Sequence, residues 1–396
     1  MRFENLKDKI SIRGLSGSRA IVFVLAAACF IGLLYFTNTD RPVYTSSDTT
    51  GIEYEVGKVT GIISDNHTVD EKTGIWRGSM VLQVKLLSGR YKDDTVKVEN
   101  YFSSLYNIRV TQGDKVSIRI DTNEEGYQVS IYNYYRVPQI ILCVVLFFAF
   151  LVIIGGKKGA KSALGLIFSI VCIIWILLPL ALKGFSVILV TLVLVLICNL
   201  VCFFLIDGIK IKTVVAAAGS VCGVITGAIF TLIAQWIMSV DAYQMDEAET
   251  LLLVMTTTKL QMHDLLMCGV LIACMGAVMD VAMTIASAMA ELHELNPQLG
   301  RWELFRSGMN IGKDAMGTMS NTLILAYAGS SLNMMLLIYS YGVGFQQLMN
   351  TNFMAIEIIR TIAGSIGIIF TIPIVATIAA RIYGKSGKGQ LKKTAK

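Results

Sequence analysis

Charge is scarce in this chain: only 16% of its 396 residues are Asp, Glu, Lys or Arg, against 54% that are hydrophobic. A soluble protein of this length needs a surface far richer in ionised groups, so that class is excluded at the outset. Histidine is scarcer still, with only His67, His263 and His293, and a His-rich metal site cannot be built from them. His293-Glu294 starts the HExxH pattern, but the second His is missing. Cysteine is absent from residues 37–136. All eight cysteines lie in apolar runs, so no disulfide framework holds that stretch. Cys198 and Cys202, one turn apart, have no nearby His or acid to complete a metal set and read as small packing side chains. The tail segment Gly384 to Gly389 has phosphate-loop letters in the wrong order and no strand before it, so no nucleotide or other cofactor is expected. An intramembrane aspartyl protease would need Asp280 and Asp314 at one depth, and the Gly312-Lys313-Asp314 context lacks a GxGD pattern. The chain is not read as an enzyme.

What is present is a set of long apolar runs. Eight approach or exceed the 18 or so residues that cross a bilayer, at about 20–36, 137–155, 162–182, 185–206, 213–238, 264–290, 315–340 and 353–380. They predict an α-helical polytopic membrane protein with about eight transmembrane helices. Its parts are a basic N-terminus (1–19), a first helix (20–36), an exported β domain (37–136), a seven-helix transmembrane domain (137–380) and a basic tail (381–396). The first run continues beyond Cys29 through Tyr35 and Phe36, which favours an anchor over a cleaved signal peptide.

Basic residues set the orientation. Arg2, Lys7, Lys9, Arg13 and Arg19, then Lys157, Lys158 and Lys161, Lys210 and Lys212, Arg301, Arg306 and Lys313, and the six in the tail all fall on one side. Lys and Arg resist translocation, so both termini are expected in the cytoplasm. The net charge of +6 is largely this bias, and no nucleic-acid partner follows from it. Asp241, Asp246, Glu247 and Glu249 then form an external acidic loop.

Residues 37–136 alternate as strands do. Leu82, Val84 and Leu86 interleave with Gln83 and Lys85; Val96 and Val98 with Lys97; Val116, Ile118 and Ile120 with Ser117 and Arg119; Val129 and Ile131 with Ser130. Glu53 to Ile62 supplies a fifth strand. A small β domain follows, an OB-like barrel or sandwich.

Polar residues inside the apolar runs carry the functional expectation. Asp280, Thr284, Ser287 and Glu291 recur at i, i+4, i+7 and i+11, one narrow helical stripe, and Asn310, Asp314, Gly317 and Asn321 repeat the spacing. An Asp facing lipid at a helix centre costs roughly 2.5–3.5 kcal/mol, so the stripes are expected to face protein or water as a seam between helices 6 and 7. That seam is a candidate path for an ion, a proton or a solute. Its structural alternative is a hydrogen-bond network that only fixes packing. Gly219, Gly223 and Gly227 offer a close helix–helix contact, and Glu357 with Arg360, one turn apart, is a structural ion pair or a gate. Asn296 and Pro297 read as the start of a short interfacial helix, with Gly308 and Gly312 as hinges.

Gly276-Ala277-Val278-Met279-Asp280, Ala286-Ser287, Glu291-Leu292, Asn296-Pro297, Ser307-Gly308, Ile311-Gly312-Lys313-Asp314, Gly317-Thr318 and Asn321 to Tyr327 resemble the signature of the YibE/YibF-like family of bacterial multi-pass membrane proteins. The β domain after the first helix is similar to the YibE-like member. The resemblance implies the topology and no particular substrate. Two function classes follow: a membrane transporter or permease, and a membrane scaffold or sensor coupling the exported β domain to a partner. The expected partners are the lipid bilayer, an ion or small solute, and a membrane protein such as a YibF-like chain or a second copy.

Overall fold

The computed structural model describes residues 28–40, 42, 51–104, 106–123, 126–245 and 248–385. The basic N-terminus (1–19), the start of the expected first helix (20–27), the tail beyond Lys385, and Asp246 and Glu247 of the acidic loop lie outside the described residues. The chain divides into two compact units, Thr45–Ile154 and a second formed by Met1–Tyr44 with Gly155–Lys396.

The first unit is built on a five-stranded antiparallel sheet. Its strands are β1 (Ile52–Val69), β2 (Trp76–Leu86), β3 (Thr95–Phe102), β4 (Lys115–Asn123) and β5 (Gly126–Tyr134), in the order β3-β2-β1-β4-β5. The period of two turns one side chain in two inward: Met80, Leu82, Val84 and Leu86 from β2 meet Val116, Ile118 and Ile120 from β4 in a closed core. Edge strands β3 and β5 approach each other without forming a ladder, so the sheet is a half-barrel. Strand β1 runs past Ile62 to Val69, farther than its apolar residues imply. The polar stretch Ser64 to Thr68 is held instead by pairing with β2, after register shifts at Val59/Gly61 and Ile62/Ser64. Gly57 lets β1 cross the core closely, since a Cβ there would lie 2.6 Å from Val84.

Ten helices complete the described chain. They are α1 (Ala28–Asn38), α2 (Val137–Leu182), α3 (Val187–Asp207), α4 (Ile211–Met238), α5 (Ala248–Thr257), α6 (Leu265–Leu295), α7 (Arg301–Ser330), α8 (Leu332–Ser340), α9 (Phe345–Met349) and α10 (Asn352–Tyr383). Five helices among the described residues (α2, α3, α4, α6 and α10) are long and apolar enough to cross a membrane, and α7 with α8 makes a sixth if that bent pair is one span. Eight spans are thus not reproduced. Of the first expected run only α1 is described, and the second and third runs form one helical stretch, interrupted at Gly156 (φ +54°). A π-helical turn, Ile173–Leu177, precedes Pro179 and absorbs the amide that proline lacks.

Within the second unit, α1 docks on α2. Thr37 Oγ1 and Asn38 Nδ2 donate to Trp175 O at 2.8 and 2.9 Å, and Lys183 Nζ donates to the carbonyls of Phe36 and Thr39 at 2.8 and 2.7 Å. A cation thereby satisfies acceptors left open at the C-terminal end of α1.

The centre of this unit is a close three-helix contact of α4, α6 and α10. Gly219, Gly223 and Gly227 of α4 face Val375, Thr371 with Gly367, and Ala363 of α10, while Val278 of α6 closes the third side. A side chain at Gly223 would occupy the space of Thr371 Oγ1 and come within 2.9 Å of Val278. Between α3 and α4, fully buried Ser220 donates to Asn199 Oδ1 at 2.8 Å, and Asn199 Nδ2 donates to Val195 O, so both polar groups are satisfied.

Overpacking of this contact gives a direct test. Gly223→Val should destabilise the detergent-solubilised protein by roughly 1–3 kcal/mol or prevent folding. Gly276→Ala, placed where nothing lies within 4 Å, should leave the thermal transition in place. Equal transitions for both variants would remove the close contact as the organising feature.

Candidate functional site

The two polar stripes do not meet. Asp280, near the middle of α6, is exposed, as are Thr284 and Glu291; Ser287 is half-buried beside Met283 Sδ at 3.5 Å. On α7, Asn310, Asp314, Gly317 and Asn321 are all exposed. The reason is rotational. Gly308 of α7 packs on Met289 of α6, and Met289 is about two and a half turns from Asp280, which therefore faces the other way. Gly312 packs on Ile372 of α10, so Asn310 and Asp314, two residues to either side, lie about 160° around α7 from that contact. The expected buried seam is replaced by polar rows on the outside of the unit. Thr284 and Thr318 hydroxyls donate to carbonyls of their own helices, Asp280 O at 2.8 Å and Ala315 O at 3.1 Å.

The interfacial helix and its hinges are also revised. Asn296 ends α6, its Oδ1 accepting from Gln298 N at 3.2 Å, and α7 starts at Arg301, where Glu303 accepts from Gly300 N at 3.0 Å. Helix α7 then runs unbroken through Gly308 and Gly312, which are buried contact points. The break comes later. Between Ser330 and Leu332 the axis turns by 59° into α8.

A cavity of about 240 Å³ lies at that break. Ile324, Tyr327 and Ser331 border it before the bend, Met335 after it, and Phe353 and Glu357 from α10. Its wall is nearly all apolar, and Glu357 supplies the one carboxylate. Glu357 Oε1 accepts from Arg360 at 3.0 Å, with the two side chains 17% and 28% exposed. Glu357 Oε2 is buried and receives no hydrogen bond from the described residues. A carboxylate oxygen without a donor has an unspent affinity for a proton, a cation or an N–H group.

The ion pair was legible as Glu357 and Arg360, but the rest of the cavity was not. Gly329-Ser330-Ser331 is a small, polar interruption inside the 315–340 run and is the signal that marks a broken helix. Tyr327 follows from it, lying one turn before the break.

Removing Arg360's charge should expose the dependence of the site on this pair. Arg360→Met leaves Glu357 half-buried and alone, and should lower unfolding stability by about 1.5–3 kcal/mol. Adding Glu357→Gln should restore most of that loss in denaturant or thermal unfolding. A double variant as unstable as Arg360→Met would show that the pair contributes only as packing.

No curated protein and no solved structure matches the chain. A family model described as YibE/F-like protein matches residues 143–385, the stretch that holds the second arm of α2, the glycine contact, the broken helix and the cavity. By that match over more than half of its length, the chain belongs to the YibE/F-like protein family.

Proposed function

We propose that this chain is a membrane transporter or permease in a bacterial plasma membrane, with its ligand or coupling ion held at the α7–α8 break. The observation that carries the proposal is the unpaired Glu357 oxygen at a cavity that a broken helix opens. Discontinuous helices and acids at membrane depth are what transporters use to hold substrates and coupling ions, because backbone and carboxylate ligands are otherwise too costly to leave in lipid. Glu357 is the group that takes up a proton or cation. Arg360 holds the carboxylate in place and competes for it, so arrival of the ligand and release of the ion pair are coupled.

The same proposal keeps eight spans, counting both arms of α2 and a first helix, with both termini cytoplasmic on the strength of the basic loops. The β unit is then extracytoplasmic and OB-like. Its strand order and the approach of β3 to β5 support a partly open five-stranded barrel.

Glu357→Gln should abolish ion or proton flux through proteoliposomes, read by an internal pH-sensitive or cation-sensitive dye, while the elution volume and thermal transition stay near those of the parent. Flux at the parental rate in Glu357→Gln would sink the proposal.

A scaffold or sensor is the second reading, and the outward polar rows favour it. Asp280 near the centre of α6 and Asp314 on α7 need a polar cover in a bilayer, which another membrane protein or a second copy supplies. Asp280→Leu with Asp314→Leu should then dissolve a crosslinkable complex while leaving Glu357-dependent flux alone. An unchanged crosslinking pattern would speak against it.

A further inference from the structure

We propose that the cleft where β4 and β5 meet the first turn of α2 binds the headgroup of an anionic phospholipid. The cleft has a volume of about 850 Å³ and lies wholly within the unit that carries the sheet. Sheet register brings its two cations together from distant parts of the chain. Val116 pairs with Tyr134, and Tyr135 N donates to Lys115 O at 3.3 Å, so Lys115 stands beside Tyr135 and next to Arg136.

Both cations are exposed, and neither is in an ion pair among the described residues. The Arg136 guanidinium carbon lies 5.3 Å from the centre of the Tyr134 ring, and Tyr134 OH donates to Arg109 O at 2.7 Å. A ring fixed at its far end thus braces the guanidinium over its face and leaves the N–H edges free. The one acid at the cleft, Asp114, is folded back into its own turn, accepting from Thr111 N at 2.7 Å and Thr111 Oγ1 at 2.9 Å. The cleft therefore offers a planar fork and an ammonium to a phosphate.

Its other side is apolar and continuous with the helix. Ile140, Cys143 and Val144, at i, i+3 and i+4, form one stripe that leads away from the cations, and no charged residue occurs from Val137 to Gly156. A lipid fits that gradient: phosphate on Lys115 and Arg136, acyl chain along the stripe. Arg136, Tyr134 and Tyr135 directly before such a helix are also the residue types that sit at headgroup depth. A zwitterionic headgroup brings its own ammonium towards two cations and is disfavoured; an anionic one is not.

The test uses the full-length protein in mixed micelles, with native mass spectrometry counting retained lipid. Phosphatidylglycerol should be held about tenfold more tightly than phosphatidylcholine of the same chain length. Lys115→Gln and Arg136→Gln should each weaken that preference, and the pair should abolish it. Lys115→Arg with Arg136→Lys should keep it, which separates charge from fold. Equal retention of both lipids, or an unchanged preference in the folded double Gln variant, overturns the proposal. So does displacement of phosphatidylglycerol by millimolar inorganic phosphate, which would make the cleft a site for free anions.

Discussion

The helical unit depends on one steric constraint, the approach of α4 to α10 and α6 at Gly223. With a hydrogen where other residues carry Cβ, the α4 backbone reaches Gly367, Thr371 and Val278 directly. Helix association in lipid gains little from the hydrophobic effect, so this approach, with its dispersion and interhelical contacts, has to supply the specificity. Helix α10 is held by it along much of its length, from Ala363 to Val375, and Glu357 and Arg360 project from the end just beyond. The position of the ion pair is therefore inherited from glycines on a different helix.

Much of this was written in local periodicity. Alternation at Leu82–Leu86 and Val116–Ile120 marks strands because each buried side chain must be followed by one pointing out. Long apolar runs mark helices because a single segment can satisfy its own backbone in lipid only as a helix. The tail of β1 was hidden, since Ser64 to Thr68 are extended by their partner strand and not by their own pattern. Periodicity likewise put Asp280, Thr284 and Glu291 on one stripe, yet it carries no information about the azimuth at which a neighbour packs. That azimuth came from Gly308 meeting Met289, a contact between residues nineteen apart in sequence that no single helix reveals.

The candidate site was half legible for a similar reason. Two charges one turn apart in an apolar helix are conspicuous by their cost, so Glu357 and Arg360 could be picked out alone. The cavity beside them belongs to a bend. Ser330 and Ser331 compete for backbone hydrogen bonds and Gly329 removes side-chain support, so α7 ends there although the hydropathy continues.

Helices α8 and α9 bury no residue in the described chain, in contrast to the packed α4, α6 and α10. Mechanically, the unit is a stiff pillar with a light arm joined at Ser331. Moving that arm would take Met335 from the cavity wall but break no contact of the buried core, so the core does little to fix its position. Met335 on that arm supplies one wall of the cavity, so part of the site's enclosure is carried by a helix that buries nothing of its own.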